Sequence, residues 1–164
     1  PVVRCMPNTP ALVGHGAAGV YANSAVSAEQ RASVANVLNA VSETVCWVDT
    51  EDQIDAVTAV SGSGPAYFFL LLEAMVDAGV AAGLSPKVAT QLSAQTCLGA
   101  AHMAMKTTDT FAELRNKVTS PNGTTYAAIT RMEQGNVPAC LREAIRAAAL
   151  RSAELGVELG RAKI

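Results

Sequence analysis

A run of hydroxyl side chains around a turn is the stretch of this sequence best suited to hold a ligand. Seven residues contain four hydroxyls and a central Pro-Asn-Gly: Thr119, Ser120, 121–123, Thr124 and Thr125. Proline presets φ for a turn, and Asn and Gly tolerate the left-handed backbone that many turns require. Residues 126–134 have a helical pattern, so Thr124 or Thr125 is expected at or beside the N-cap of a helix.

A turn that leads into a helix start can hold a small anion. The first N–H groups of a helix lack intrahelical partners, and this end of the helix carries partial positive charge. Such a site suits a carboxylate or a phosphate. On the local pattern alone an ordinary capped helix after a loop is favoured, and that alternative stays open.

Two further breaks in the pattern could give a ligand access to the backbone. Ser61-Gly62-Ser63-Gly64-Pro65 interrupts a helical run; its glycines allow a close approach, although a helix kink would use the same residues. Pro7-Asn8-Thr9-Pro10 ends a strand predicted over residues 2–6 and is expected to be extended and rigid. Ligand contacts in α/β proteins often follow a strand, but a plain linker is an equal alternative.

The N-terminal third is predicted to be a small α/β segment, and the rest is predicted to be helical. Gly14, Gly16 and Gly19 have Gly-x-Gly-x-x-Gly spacing, but no long helix follows them directly, so residues 13–22 are interpreted as a bend between short strands. Ser27 is a candidate N-cap for a helix, and a first strand without an upstream partner leads us to expect residues before Pro1. The predicted elements are a helix over 28–42, a strand over 44–49, and helices over 51–60, 65–82, 87–106, 111–116, 124–134 and from 138 to about 156 or beyond.

The helix predicted over residues 65–82 is apolar nearly all round. A helix without a polar face must be surrounded by other helices, and this chain has too few, so a partner subunit is expected. Glu73 and Asp77 lie in the middle of the run on one face, which argues against a membrane span.

Composition and charge exclude several classes of protein. Half of the 164 residues are hydrophobic and few are aromatic, a mixture that suits closely packed helices. The net charge of -2, without a basic stripe, argues against nucleic acid as a partner. The cysteines and histidines are scattered without zinc-site spacing, so we expect no metal, and free thiols in a reducing cytoplasm.

Three segments resemble the C-terminal motifs of the pyrroline-5-carboxylate reductase family in order and approximate spacing. They are residues 6–10, Met-Pro-Asn-Thr-Pro; 56–67, Ala-Val-Thr-Ala-Val-Ser-Gly-Ser-Gly-Pro-Ala-Tyr; and 114–125, Leu-Arg-Asn-Lys-Val-Thr-Ser-Pro-Asn-Gly-Thr-Thr. The resemblance covers essentially the whole chain, and the second and third motifs are highly specific. The family usually has glycine where this chain has Asn122; because asparagine tolerates the same left-handed backbone, the turn is expected to persist.

The resemblance implies a fold and an assembly. The implied fold is mainly α: a helical dimerisation and substrate-binding domain, similar to the C-terminal domain of 6-phosphogluconate dehydrogenase, over 51–164. It is preceded over 1–50 by a short α/β remnant of the NAD(P)-binding Rossmann domain. This remnant has no glycine-rich turn that opens directly into a long helix, so these residues alone are expected to be inactive. In the family two subunits exchange helices, which implies a homodimer and, beyond it, a ring assembly such as a decamer.

The resemblance also implies a reaction and roles for individual residues. The reaction is hydride transfer from NADPH or NADH to 1-pyrroline-5-carboxylate, which gives L-proline in the last step of proline biosynthesis. The implied catalytic residues are Thr125, as a hydrogen-bond partner of the ring nitrogen, with Ser120 and Thr58. The implied substrate-binding residues are Val118, Thr119, Ser120, Gly123, Thr124 and Thr125, the last three through their backbone N–H groups. The implied cofactor-binding residues are Met6, Asn8 and Thr58.

Two other functions stay open at this point. The helical domain of a β-hydroxyacid dehydrogenase would need a catalytic lysine on a helix, and neither Lys87 nor Lys106 lies in such a motif. A helical dimerisation module without chemistry would keep the apolar helix but would tolerate the loss of the Ser120 and Thr125 hydroxyls.

Overall fold

Two compact units make up the described part of the chain in this computed structural model, which describes residues 1–161. One unit contains residues 1–67 together with residues 142–161, and the other contains residues 68–141. The fold is mainly helical with one small sheet near the N-terminus, which confirms the predicted fold class.

A three-stranded mixed sheet lies at the centre of the first unit. Its strands are β1 (Val3–Met6), β2 (Gly16–Ala22) and β3 (Ser42–Trp47), in the order β1-β2-β3. β1 pairs with β2 antiparallel, with Met6 opposite Gly19, and β2 pairs with β3 in parallel. The central strand carries the most buried side chains of the sheet, and Val20 is fully inaccessible.

A capped helix connects the two parallel strands. α1 (Ala28–Asn39) provides the crossover that a parallel pair needs. The Gln30 N–H donates to the Ser27 hydroxyl at 3.2 Å, and the Ser27 N–H donates to the Gln30 side chain at 3.0 Å. This capping box confirms the predicted N-cap. The helix stops at Asn39, earlier than predicted, and β3 accordingly begins at Ser42 rather than at 44.

The structure differs from the expectations for residues 1–22 in three respects. The first strand finds its partner downstream, because β1 pairs with β2. Residues 16–22 form one continuous strand rather than short strands around a bend. The connector after β1 is extended only as far as Asn8, and a 3-10 helix begins at Thr9. Pro10 lies in the first turn of that helix, where the missing proline N–H breaks no helical hydrogen bond.

The glycine-rich break between two helices is a π-helical segment. α2 (Gln53–Val57) continues directly into the π-helical segment Thr58–Gly62, and α3 (Gly64–Ala81) follows after Ser63. The Ser63 N–H donates to the Thr58 carbonyl at 2.8 Å, which is the i to i+5 bond of a π turn. The helical path therefore widens here rather than breaking.

The remaining helices agree closely with the sequence pattern. They are α4 (Pro86–Met105), α5 (Phe111–Lys117), α6 (Thr124–Gln134) and α7 (Val137–Arg161). Gly83 and Asn136, with φ of 102° and 56°, follow the ends of α3 and α6 in the left-handed backbone that terminates helices. The Val88 N–H donates to the Ser85 hydroxyl at 3.4 Å, which caps α4.

Within residues 1–161, α3 leaves much of its apolar surface uncovered. Phe69 and Leu70 are 61% and 66% exposed. The helical stretch Gln53–Ala81 is long and apolar enough, by length and composition only, to cross a membrane. A core helix of an assembly passes the same test, and the carboxylates of Glu73 and Asp77 in the middle of α3 favour a protein surface over lipid.

The close approach of β2 to α2 gives a first prediction. A Cβ on Gly19 would lie 2.4 Å from Cγ1 and 2.5 Å from Cγ2 of Val57. Gly19→Ala is therefore expected to lower the free energy of unfolding by about 1–3 kcal/mol, because the strand and the helix would be forced apart. Chemical denaturation followed by circular dichroism measures the change.

Gly156→Ala is the matched control for that substitution. A Cβ on Gly156 in α7 meets nothing within 4 Å, so alanine there is expected to be neutral or to stabilise by up to about 1 kcal/mol. If Gly19→Ala unfolded like the wild type, the contact between β2 and Val57 would not be a real constraint.

Hydrogen bonds at the start of α5 hold two carboxylates in their ionised form. Asp109 Oδ2 accepts from Lys117 Nζ at 2.5 Å and from the Thr107 hydroxyl at 3.0 Å, and these bonds lower the pKa of Asp109. Glu113 Oε2 accepts from the Thr110 N–H at 2.7 Å and from the Thr110 hydroxyl at 2.8 Å, and these bonds lower the pKa of Glu113.

The second prediction follows from the sign of these shifts. A carboxylate whose pKa is lowered by folding stabilises the folded state at a pH above its unfolded-state pKa, and the stabilisation is lost as the pH falls through the folded-state pKa. For Asp109 the unfolded-state pKa is 3.8. Asp109→Asn should therefore slightly lower the thermal midpoint at pH 7, and the difference from the wild type should shrink below pH 3.8. The exposed Asp49→Asn serves as the control and should leave the midpoint unchanged. A difference that stayed constant in acid would show that the Asp109 charge is not involved.

Candidate functional site

A tight turn precedes α6 and shapes the hydroxyl-rich stretch. The Gly123 N–H donates to the Ser120 carbonyl at 3.1 Å, which closes a four-residue turn around Pro121 and Asn122. Asn122 has a φ of 59°, as the third residue of a type II turn requires. The asparagine thus adopts the left-handed backbone predicted for it. The Gly123 N–H, expected to face the substrate, is instead used by the turn.

Gly123 is the N-cap of α6, and Thr124 is the first helical residue beside it. The first helical bond runs from the Ala127 N–H to the Gly123 carbonyl at 3.1 Å, so the N–H groups of residues 124–126 precede the helical hydrogen-bond pattern. A glycine cap has no side chain to bond them. A Cβ on Gly123 would lie 2.7 Å from Ser120 Oγ, so the absence of a side chain also makes room for that hydroxyl.

Most of the hydroxyls around the turn are available to a ligand. Ser120 and Thr124 are exposed and Thr125 is half-buried, so a ligand can reach their hydroxyls. Thr119 differs, because its hydroxyl donates to the Arg115 carbonyl at 2.6 Å and fastens the turn to the end of α5. Val118, which is 57% exposed, adds an apolar surface just before the turn.

The positive potential at this turn comes mainly from the start of α6. Lys117 is paired with Asp109 at 2.5 Å, and Arg115 lies 3.9 Å from Glu133. Exposed ion pairs of this kind contribute little to a local field. The free N–H groups and the partial positive charge of the helix end are therefore the main attraction for an anion.

A second group of predicted residues surrounds the π-helical segment in the unit that contains the sheet. The Thr58 hydroxyl donates to the Ile54 carbonyl at 2.8 Å, which leaves its lone pairs as acceptors. A Cβ on Gly62 would lie 3.4 Å from Met6 Sδ and 3.7 Å from Thr58 Cγ2, so these three residues are close neighbours. Asn8 joins them by donating from Nδ2 to the Ser61 carbonyl at 3.1 Å.

The predicted site residues thus form two groups, one in each unit. Val118, Thr119, Ser120, Gly123, Thr124 and Thr125 lie in the unit of residues 68–141, and Met6, Asn8 and Thr58 lie in the unit with the sheet. The structure brings the members of each group together locally. Their individual roles toward substrate and cofactor remain predictions.

Tyr67 also belongs to the second group, although the sequence pattern does not single it out. Its place in an apolar helix indicates a packing role, yet its hydroxyl donates to the Ala59 carbonyl in the π-helical segment at 3.1 Å. A tyrosine one turn beyond a glycine-rich break is the available signal, because a partly buried phenol needs a hydrogen-bond partner.

Comparison with known proteins points to one family. A sequence profile described as pyrroline-5-carboxylate reductase dimerisation matches residues 51–155. The pyrroline-5-carboxylate reductase of Pseudomonas aeruginosa is 57% identical over 160 residues, which cover 98% of this chain and 58% of that protein. The Arabidopsis thaliana protein of the same name is 47% identical over 153 residues, which cover 93% of this chain and 55% of that protein.

Solved structures agree with the sequence comparison. A pyrroline-5-carboxylate reductase from Coxiella burnetii superposes with a TM-score of 0.90 at 46% identity, covering 93% of this chain and 56% of that one. The Plasmodium falciparum pyrroline carboxylate reductase, solved with NADP bound, superposes with a TM-score of 0.87 at 32% identity, covering 95% of this chain and 63% of that one. The chain therefore spans 55% to 63% of the length of these relatives. The profile match over most of its length shows that the chain belongs to the pyrroline-5-carboxylate reductase family.

Proposed function

We propose that this chain is the substrate-binding and dimerisation part of an NAD(P)H-dependent pyrroline-5-carboxylate reductase. The reaction reduces 1-pyrroline-5-carboxylate to L-proline, the last step of proline biosynthesis. The observation that carries the proposal is the start of α6, where uncapped N–H groups and the Ser120 hydroxyl lie next to Gly123. Membership of the reductase family supports the same assignment.

The substrate carboxylate fits the start of α6. The N–H groups of Thr124 and Thr125 precede the first helical bond and can donate to one carboxylate oxygen. The Ser120 hydroxyl can donate to the other, and hydrogen bonds to a charged group are stronger than neutral ones. Val118 would cover the apolar edge of the pyrroline ring.

Thr125 is assigned to the ring nitrogen. Reduction of a C=N bond produces a basic amine, so the nitrogen must receive a proton or enter the site already protonated. A threonine hydroxyl is a weak acid, and we therefore assign to Thr125 a hydrogen bond that orients the imine rather than the donation of a proton. The partly buried position of Thr125 beside free N–H groups supports this role.

The π-helical segment suits the nicotinamide end of the cofactor. Bound NADPH or NADH supplies the hydride. Thr58 can accept a hydrogen bond from the carboxamide, because its own proton is committed to Ile54. Gly14, Gly16 and Gly19 have Gly-x-Gly-x-x-Gly spacing, but they precede and lie in β2 instead of forming a turn between a strand and a helix. We therefore propose that the main dinucleotide contacts, and the choice between the two cofactors, lie outside these 164 residues.

The apolar surface of α3 suits a homodimer in which two copies exchange helices, and dimers of this kind can associate into rings. The family profile that matches residues 51–155 is itself described as a dimerisation domain. The exposure of Phe69 and Leu70 in the single chain supports the same assembly. The four cysteines are free, which fits the cytoplasm that we propose as its compartment.

The third prediction separates the reductase from a dimerisation module without chemistry, which the exposed α3 alone would equally favour. In the full-length enzyme, Ser120→Ala combined with Thr125→Val should lower kcat/KM for pyrroline-5-carboxylate at least about 100-fold. Each lost hydrogen bond to a charged group is worth about 1.5–3 kcal/mol. NAD(P)H oxidation measures the rate.

Ser24→Ala, in an exposed loop, is the control for that experiment and should keep full activity. Light scattering must show that the double variant has the same mass as the wild type. A double variant with unchanged turnover would remove the catalytic role and leave the dimerisation module as the better reading.

The fourth prediction concerns the assembly. Light scattering of the 164-residue chain should give the mass of two chains or a multiple of two, with or without proline. Leu70→Glu, in the exposed face of α3, should lower the mass to that of a monomer, because a buried unpaired carboxylate opposes association. Leu12→Glu is the control: Leu12 is 89% exposed in the 3-10 helix, and its replacement should leave the mass unchanged. A well-folded wild-type monomer would contradict the proposed role of α3.

A further inference from the structure

We propose that Asn8 is a positioning residue, which holds the π-helical segment around Thr58 in place rather than binding the cofactor itself. This inference rests on the proposed reductase function, since Thr58 is the residue through which Asn8 would act. The geometry of three hydrogen bonds carries it, and all three lie within the unit that contains the sheet.

The Asn8 amide is used at both ends within the protein. Oδ1 accepts from the Ala17 N–H in β2 at 2.9 Å, and Nδ2 donates to the Ser61 carbonyl in the π-helical segment at 3.1 Å. A backbone donor faces one end of the amide and a backbone acceptor faces the other, so the orientation of the group is fixed by its partners. The amide therefore bridges the sheet and the segment.

Asn8 makes this bridge at the expense of its usual local role. It is the N-cap of the 3-10 helix Thr9–Val13. At this position the asparagine side chain normally accepts a hydrogen bond from a backbone N–H two or three residues later in the chain. Within the described chain its side chain makes no such capping bond. The amide is directed instead at a segment 53 residues away in the sequence, which a purely local turn would not require.

A π-helical segment benefits from external hydrogen bonds. Its i to i+5 pattern is rare and is found mostly at functional sites. Here the Ser63 N–H bonds the Thr58 carbonyl at 2.8 Å, while two side chains from outside the segment donate to its other carbonyls. Asn8 bonds Ser61, and the Tyr67 hydroxyl bonds Ala59 at 3.1 Å. The segment is thus held from the sheet on one side and from α3 on the other.

The consequence of this arrangement is the placement of Thr58 beside Met6. Gly62 separates the two, with a hypothetical Cβ only 3.4 Å from Met6 Sδ and 3.7 Å from Thr58 Cγ2. A rotation of the segment would move the Thr58 side chain relative to Met6. Small displacements of orienting groups are costly in catalysis, so a residue that prevents them affects kcat more than binding.

Asn8→Asp tests the bridge in the full-length enzyme. Aspartate keeps the acceptor for Ala17 but places a carboxylate oxygen against the Ser61 carbonyl, which should push the segment away. We expect kcat to fall about tenfold, as the loss of one hydrogen bond implies, while the Kd of reduced cofactor, measured by its fluorescence, changes less than about twofold. Asn36→Asp, the same chemical change at an exposed position in α1, should alter neither value.

Tyr67→Phe provides a second variant in case Asn8→Asp does not fold. It removes only the bond to Ala59 and should also lower kcat while leaving the cofactor Kd unchanged. Amide hydrogen exchange gives a readout without activity: the Ser63 N–H should exchange faster in both variants than in Asn36→Asp. This measurement remains decisive even if the wild type does not reduce pyrroline-5-carboxylate, an outcome that would defeat only the proposed function.

Three results would overturn the inference. A weaker cofactor Kd with kcat preserved in Asn8→Asp would make Asn8 a ligand contact. Full activity in both variants would show that the segment needs no support from these side chains. Unchanged exchange at Ser63 in both would show that the hydrogen bonds do not hold the π turn.

Discussion

The contact between Gly19 in β2 and Val57, the last residue of α2, determines how the sheet and the helix pack in the first unit. Gly19 has no side chain, and the two methyl groups of Val57 occupy the space where one would be. Met6 lies opposite Gly19 across the antiparallel pair, so the same contact sets the distance from the sheet to the helix end. The π-helical segment begins at the next residue, Thr58. The distance between the sheet and Thr58 therefore depends on the absence of one methyl group in a strand.

Sequence patterns captured the parts of the fold that are governed by local rules. Ser27 caps its helix, and Asn122 adopts its left-handed turn, because each depends on residues within three or four positions. Tertiary interactions account for the elements in which the structure differs from the sequence-based prediction. β2 extends over Gly16–Ala22 because it is paired on both sides, which overrides the turn tendency of its glycines. The sequence indicates a break at Thr58–Gly62, whereas the structure has a π turn, because hydrogen bonds from Asn8 and Tyr67 support the helical path there.

The candidate site shows the same division. The hydroxyls and the turn at Ser120–Gly123 could be found from spacing alone, since the residues are contiguous. The use of the Gly123 N–H by the turn could not be predicted from spacing, because it depends on which of several turn types the chain adopts. The bridging role of the Asn8 amide was equally inaccessible, because Ser61 is distant in the sequence and asparagine has a common local use as an N-cap.

The crowding of Gly123 against Ser120 also limits how this turn can change during evolution. Any side chain at position 123 would meet the Ser120 hydroxyl at 2.7 Å, so a substitution there is disfavoured as long as the serine is kept. Either the Ser120 hydroxyl would have to turn to another rotamer or the serine would have to be lost, and the Ser120 carbonyl at 3.1 Å would have to yield by a few tenths of an ångström. Changes at the two positions are therefore expected to be coupled. Homologues without a serine at position 120 are expected to tolerate other residues at position 123, whereas homologues that keep the serine are expected to keep the glycine.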